Sequence, residues 1–207
     1  MADLKQLGII PINYALLGSL FGGYKSPRNK IANLEFEGKI IRLKRGMYVV
    51  SPGESGKLLS TELIANHIYG PSYVSMESAM RYYGLIPESV RMVQSMTIKR
   101  SRVFENSVSR FEYIACREDY YPIGVTQKIT DDYSFLIASP EKALCDLIAY
   151  TPAVRPRFIN ALRLYLEDDI RLDMEAFFRM NAEIFRECAE AGKKKNDLNN
   201  LIKLQQG

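Results

Sequence analysis

Eight side chains between residues 25 and 45 have the types and spacing to bind a polyanion. They are Lys25, Arg28, Asn29, Lys30, Asn33, Arg42, Lys44 and Arg45. Lysine and arginine bind phosphate oxygens, and the asparagine amide can form paired hydrogen bonds with adenine. The surrounding segment is also the most basic part of the chain. Residues 1–50 carry a net charge of +5, against +4 for all 207 residues. This asymmetry is typical of a polyanion-binding module, although a solvated basic face has the same composition.

Residues suited to catalysis do not converge in the sequence. Glu141 and Asp146 fall on one predicted helix, but a separation of five residues places them about 140° apart around its axis. Cys145 would need a base to act as a nucleophile, and the sequence offers one histidine, His67. A buried structural thiol is the alternative that we favour. No glycine-rich phosphate loop of the GxxxxGK[ST] type occurs. We therefore predict that the protein is not an enzyme.

Metal and cofactor sites are also not indicated. Cys116, Cys145 and Cys188 lie far apart, without the short cysteine pairs of zinc sites. We expect no metal, no cofactor and no disulfide, which fits a reducing cytoplasm. No apolar run approaches the roughly 18 residues of a membrane span, and residues 1–14 lack the pattern of a signal peptide. We expect a soluble cytoplasmic protein that does not bind membranes.

A helix is predicted to carry the first part of the basic set. Ser26 is a suitable N-cap, Pro27 fits the first helical position, and Gly38 is a suitable stop. The spacing predicts a helix over residues 27–37, with Ile31 and Leu34 on the packing side. Lys30 and Asn33, with Asn29 next to them, are predicted to lie on the other side.

A basic hairpin is predicted to follow this helix. In the segment "GKIIRLKRGMYVV", Ile41 and Leu43 alternate with Arg42 and Lys44, which predicts one core face and one basic face. Arg45-Gly46 forms the expected turn.

The order helix, short break, second helix and hairpin predicts a winged helix-turn-helix that binds double-stranded operator DNA. The amide and lysine side chains would read bases, and the remaining basic side chains would bind the DNA backbone or an adjacent groove. The base-reading set is Asn29, Lys30 and Asn33, and the backbone set is Lys25, Arg28, Arg42, Lys44 and Arg45. The alternative is a basic protein-docking module on the same fold, without specific DNA binding.

The whole chain is predicted to be α+β, in three zones. These are a winged helix-turn-helix over residues 1–52, a mixed α/β domain over 57–152, and a helical extension over 153–207 packed on the second domain. Strands are predicted at "VQSMTIKRSRVF", "RFEYIACRE", "YYPIGVTQKI" and "YSFLIA", and Ser139-Pro140 predicts a helix start. Helices are also expected near 154–167 and 173–190, followed by a short last helix.

Four tyrosines are crowded into the segment "HIYGPSYVSMESAMRYYGLIPE", namely Tyr69, Tyr73, Tyr82 and Tyr83. They fit either core packing, which we favour, or base stacking.

Three segments resemble the AbiEi antitoxin family of type IV toxin–antitoxin systems, which act in abortive infection. They are "IIRLKRGMYVV", "LIANHIYGPSYVSMESAMRYYGLIPE" and "SFLIASPEKALCDLIAY", in the order of the family. The resemblance covers roughly residues 12–152. It implies an N-terminal winged helix that represses its own operon and a C-terminal antitoxin domain. It also implies a nucleotidyltransferase-like toxin whose effect is opposed without a stable complex. The matching positions are Arg28, Asn29 and Lys30 on the helix and Arg42, Lys44 and Arg45 on the wing.

Overall fold

The computed structural model describes residues 4–87 and 92–206. The protein has an α+β fold in which helices pack on two β-sheets. Helices α1 to α10 span Tyr14–Ser19, Pro27–Phe36, Pro52–Ser55, Thr61–Ile68, Met76–Tyr82, Pro140–Tyr150, Ile159–Leu164, Met174–Phe178, Ala182–Ala191 and Lys195–Gln206. Strands β1 to β9 span Ile12–Asn13, Ile40–Lys44, Met47–Val50, Ser72–Val74, Met92–Thr97, Arg102–Glu105, Arg110–Ala115, Val125–Ile129 and Ser134–Ala138. A 3₁₀ turn covers Leu4–Leu7 and a π-helical turn covers Tyr165–Asp169.

The N-terminal part contains two helices and a three-stranded antiparallel sheet of order β1-β3-β2. Helix α2 begins where the sequence predicts, because the Ser26 side chain accepts a hydrogen bond from the backbone N–H of Asn29 at 3.4 Å. Gly38 follows the helix with φ +69°, in the left-handed region that glycine tolerates. Gly46 closes the hairpin turn with φ +77°. The predicted helix and hairpin are therefore confirmed as local structure.

The predicted alternation along β2 fails at its end. The pairing with β3 shifts between Arg42, opposite Tyr48, and Lys44, opposite Met47, so Leu43 is an extra residue in the strand. Such a bulge interrupts the period of two. Lys44 consequently contacts a different part of the molecule from Arg42, and the prediction that the two share one basic face is wrong.

The N-terminal sheet contributes to two buried clusters. Ile40, Tyr48 and Val50 pack with α1 and α2 in a small core of their own. Leu43 and Val49, at 2% and 0% exposure, belong instead to the main core of the molecule. The hairpin is therefore embedded by its apolar side chains in the rest of the chain.

The second sheet has six strands in the order β6-β7-β5-β4-β9-β8. It is mixed, since β4 is parallel to β9 and β5 is parallel to β7, whereas the other neighbouring pairs are antiparallel. The predicted strand "VQSMTIKRSRVF" is wrong as one element, because β5 ends at Thr97 and β6 begins at Arg102. The strand predicted as "YYPIGVTQKI" is confirmed only in its second half, as β8, because residues 120–124 form turns, whereas "YSFLIA" is confirmed as β9.

The C-terminal helices pack into the same main core. Phe177, Cys188 and Leu201, from α8, α9 and α10, are fully buried there. The helix predicted over 173–190 is divided in two, because Asn181 accepts a hydrogen bond from the backbone of Glu183 and caps α9. The last helix is longer than predicted, at 12 residues. The zone boundaries at residues 52 and 153 stay predictions.

Candidate nucleic-acid interface

Helix α2 and the β2–β3 hairpin bring three arginines to one groove. Arg28 comes from the first turn of α2, Arg42 from β2 and Arg45 from the hairpin turn. The groove has a volume of about 860 Å³. Its other lining residues are Tyr14, Ile31, Ala32, Glu35, Gly46 and Tyr48. A groove with basic walls between a helix and a hairpin matches a polyanion better than a small apolar ligand.

The three arginines differ in how firmly they are held. The Nη2 atom of Arg42 donates a hydrogen bond of 2.6 Å to Oε2 of Glu35, and its guanidinium lies 5.7 Å from the centre of the Tyr48 ring. The hydrogen bond to Glu35 raises the pKa of Arg42 above its usual value. The side chains of Arg28 and Arg45 are also exposed, but they make no hydrogen bond or ion pair with any residue of the described ranges. These two side chains are therefore available to phosphate groups.

Four other predicted residues of this set are not among the residues that line the groove. Asn29 and Asn33 are exposed on the next stripe of α2, about 100° around the axis from Arg28 and Ala32. Lys30 is half-buried, with its Nζ 5.6 Å from the centre of the Tyr24 ring. Lys25 is exposed just before the helix. The structure thus places the amides and the arginines on adjoining, not identical, surfaces.

Lys44 lies in a second basic cleft, on the other side of the hairpin turn. Its Nζ donates a hydrogen bond of 2.6 Å to the carbonyl oxygen of Ile68, at the end of α4. Burial lowers the pKa of Lys44, and the charges of Arg102 and Lys99 lower it further. The cleft has a volume of about 630 Å³, and Arg45 lines both it and the arginine groove. Lys44 therefore stabilises the docking of the hairpin as well as adding positive charge.

Two basic residues of this cleft were not among the predicted site residues. Lys99 lies in the connection between β5 and β6, with its Nζ 5.4 Å from the Tyr69 ring. Arg102 opens β6, with its guanidinium 5.0 Å from the Phe104 ring. The dense basic segment "KRSR" at 99–102 was the available signal. The prediction of one strand over residues 93–104 does not reveal that this segment lies at the connection between β5 and β6.

A buried ion pair forms a separate polar cluster inside the main core. Lys142 and Asp146, one turn apart on α6, are both 0% exposed, and their charged atoms lie 3.4 Å apart. Asp146 also accepts hydrogen bonds from Ser75 at 2.5 Å and Tyr73 at 3.1 Å. Lys142 donates to the carbonyl oxygen of Tyr120 at 2.9 Å. Burial raises the pKa of Asp146, although the charge of Lys142 opposes the shift. The sequence marked Asp146 as one of two non-convergent carboxylates and missed this pairing.

The geometry gives little support to Cys145 as a nucleophile or to His67 as its base. Cys145 is buried, as predicted, and burial raises the pKa of its thiol. Burial also raises the pKa of Cys116 to about 12. A thiolate nucleophile requires a lowered pKa instead. His67 is turned toward its own helix, with Nδ1 2.9 Å from the carbonyl oxygen of Leu63. Within residues 4–87 and 92–206, no group of three or more His, Cys, Asp or Glu is arranged to hold a metal ion.

The tyrosines predicted to be core residues divide between core and surface. Tyr73 is fully buried, and Tyr69 and Tyr83 are half-buried against the main core. Tyr82 is 44% exposed. Core packing is thus confirmed for Tyr73, whereas Tyr82 presents part of its ring to solvent.

Comparison of the sequence with models of protein families and with curated proteins finds no match. Among the helices of the described residues, none has the length and apolar character needed to cross a membrane.

Proposed function

We propose that this protein is a DNA-binding antitoxin and transcriptional autorepressor, whose N-terminal part is a winged helix-turn-helix. The arginine groove between α2 and the hairpin carries the proposal. It contains two exposed guanidinium groups without an ion-pair partner among the described residues, those of Arg28 and Arg45, and α2 presents Asn29 and Asn33 on an adjoining stripe. Phosphate contacts from the arginines would give affinity, and the amides would give sequence choice.

The arrangement of elements supports the winged-helix part of the proposal. Helices α1 and α2 precede the β2–β3 hairpin, and the short strand β1 joins the hairpin through β3. In a helix-turn-helix the second helix enters the major groove of DNA. The proposal assigns this role to α2, which lies across the arginine groove from the turn at Arg45.

The antitoxin part rests on the resemblance of residues 12–152 to the AbiEi family. In this role the protein acts on DNA of its own operon in the cytoplasm. It opposes a nucleotidyltransferase-like toxin without forming a stable complex with it. The protein itself performs no catalysis in this proposal and uses no cofactor or metal.

Binding to the DNA upstream of its own gene tests the proposal. Mobility shifts at about 50 mM and 200 mM salt should show strong and weakened binding, respectively, because phosphate contacts release counterions. The double variant Arg28→Ala/Arg45→Ala should bind at least about tenfold more weakly, with a salt slope shallower by about 1.8. A matched control is Arg179→Ala/Lys203→Ala, which removes two exposed charges from the C-terminal helical region. No shift at either salt, or equal effects of the two double variants, would refute DNA binding through this groove.

A protein-docking module without specific DNA binding is the second candidate. The aromatic ring of Phe36, 93% exposed at the end of α2, favours it, because large exposed aromatic side chains are common at protein interfaces. Co-purification of a stoichiometric complex with the toxin, together with no mobility shift, would support this candidate over the first.

A further inference from the structure

Glu35 is the one carboxylate among the described residues that line the arginine groove. It lies in the last turn of α2, seven residues after Arg28 and therefore about 10 Å further along the helix axis. Its Oε2 atom accepts the 2.6 Å hydrogen bond from Arg42. The groove thus combines unpaired positive charge at Arg28 and Arg45 with one neutralised pair, Glu35 and Arg42.

A carboxylate at this position is unfavourable for binding phosphates in general. Like charges brought together at an interface cost free energy, and non-specific DNA binding depends almost entirely on phosphate contacts. The carboxylate also occupies the guanidinium of Arg42, which lies 5.7 Å from the centre of the Tyr48 ring. A carboxylate that opposes phosphate binding, and that is paired with a neighbouring arginine, is in a position to affect specificity.

We propose that Glu35 is a specificity-determining residue that acts through Arg42. Its carboxylate keeps the Arg42 guanidinium from binding the phosphates of arbitrary DNA and holds it in the one orientation that the correct site accepts. This inference rests on the proposed function, and it adds the claim that discrimination between duplexes depends on an ion pair within the protein.

A second ion pair near the same end of α2 provides a matched control. Glu37 and Lys39 lie 2.9 Å apart, with both side chains 44% exposed. Neither residue lines the arginine groove. Glu35→Gln and Glu37→Gln therefore remove the same charge and break one exposed ion pair each, but only the first change occurs in the groove.

The experiment measures affinity for two probes, a duplex from upstream of the gene and a shuffled duplex of equal length and composition. For Glu35→Gln, affinity for the shuffled duplex should rise about threefold to tenfold, because the guanidinium of Arg42 is released from its ion pair. The salt slope for that duplex should steepen by about 0.9, since Arg42 becomes an added phosphate contact. Affinity for the upstream duplex should change less. The ratio of the affinity for the upstream duplex to that for the shuffled duplex should therefore fall. Glu37→Gln should leave the ratio within about twofold of the wild type.

A second measurement tests whether Glu35 acts through Arg42. In an Arg42→Ala background, Glu35→Gln should no longer change the ratio, because the coupled partner is absent. A ratio unchanged by Glu35→Gln, or changed equally in the Arg42→Ala background, would overturn the inference while leaving DNA binding intact. Failure of the wild type to bind either duplex would instead overturn the proposed function, and this inference with it.

Discussion

The ammonium group of Lys44 donates a 2.6 Å hydrogen bond to the carbonyl oxygen of Ile68, which joins the basic hairpin to the end of helix α4. Asn106 adds a second link, since its Nδ2 donates to the carbonyl oxygen of Leu43 at 3.0 Å. Together with the burial of Leu43 and Val49, these bonds fix the hairpin against the mixed sheet and its helices. Neighbouring residues of the hairpin therefore have different roles, because Lys44 holds the hairpin in place whereas Arg45 is exposed.

Lys44→Met should lower stability, whereas Arg45→Met should not. The methionine keeps the apolar stem of Lys44 but leaves the Ile68 carbonyl without its donor, and we expect a loss of about 1 kcal/mol in the free energy of unfolding. Arg45 is exposed, so its replacement should change stability by less than about 0.5 kcal/mol. Urea unfolding of both variants measures the difference. Equal stabilities would mean that the bond to Ile68 does not secure the hairpin.

Leu43→Ala should destabilise the whole protein. Leu43 is 2% exposed within the main core, and truncation of such a leucine costs about 2–5 kcal/mol. Phe36→Ala removes a larger side chain that is 93% exposed, and should change the free energy of unfolding by less than about 0.5 kcal/mol. Thermal and urea unfolding supply the measurement. A small loss for Leu43→Ala would contradict the embedding of the hairpin in the main core.

Lys142→Met should be more damaging than the double variant Lys142→Met/Asp146→Asn. The single change leaves the Asp146 carboxylate buried without its cation, for which we expect about 3–5 kcal/mol of destabilisation. The double variant removes both charges, and the asparagine can still accept a hydrogen bond from Ser75. A double-mutant cycle by urea unfolding gives the coupling energy. Additive effects of the two changes would show that the buried charges do not stabilise each other.

The stability contribution of Asp146 should fall as pH rises. Burial raises its pKa in the folded protein above the ordinary value of 3.8, so the folded state holds the proton more tightly than the unfolded state. The resulting stabilisation is complete below pH 3.8 and is lost as pH rises through the folded pKa. The difference in unfolding free energy between the wild type and Asp146→Asn should therefore shift against the wild type from about pH 4 to pH 7. A pH-independent difference would contradict a raised pKa.

The elements that the sequence predicted well are those with strong local signals. Ser26 and Pro27 start α2, Gly38 ends it, and Ser139 and Pro140 start α6, since each signal acts within one turn of the helix. The divided strand at 93–104 lacked such a signal, because its turn at residues 98–101 contains neither proline nor glycine.

The candidate site was predicted in its residue types but not in its grouping. The orientation of Lys44 depends on a bulge and on Ile68, 24 positions away, and neither is visible in a local pattern. Asp146 was overlooked for the same reason, because its partners Tyr73 and Ser75 lie more than 70 positions earlier in the chain. Sequence patterns of two or three residues predict a single helix or strand, whereas these contacts depend on how elements distant in the chain pack together.

The burial of Leu43 and Val49 also couples the integrity of the hairpin to that of the remaining chain. A fragment ending at residue 52 would present two uncovered aliphatic side chains to water, and we expect it to self-associate. In the intact chain, opening of the main core would also release the hairpin that positions Arg42 and Arg45. A partly unfolded copy would then lose the arginine groove, so under the proposed function only folded molecules would bind DNA.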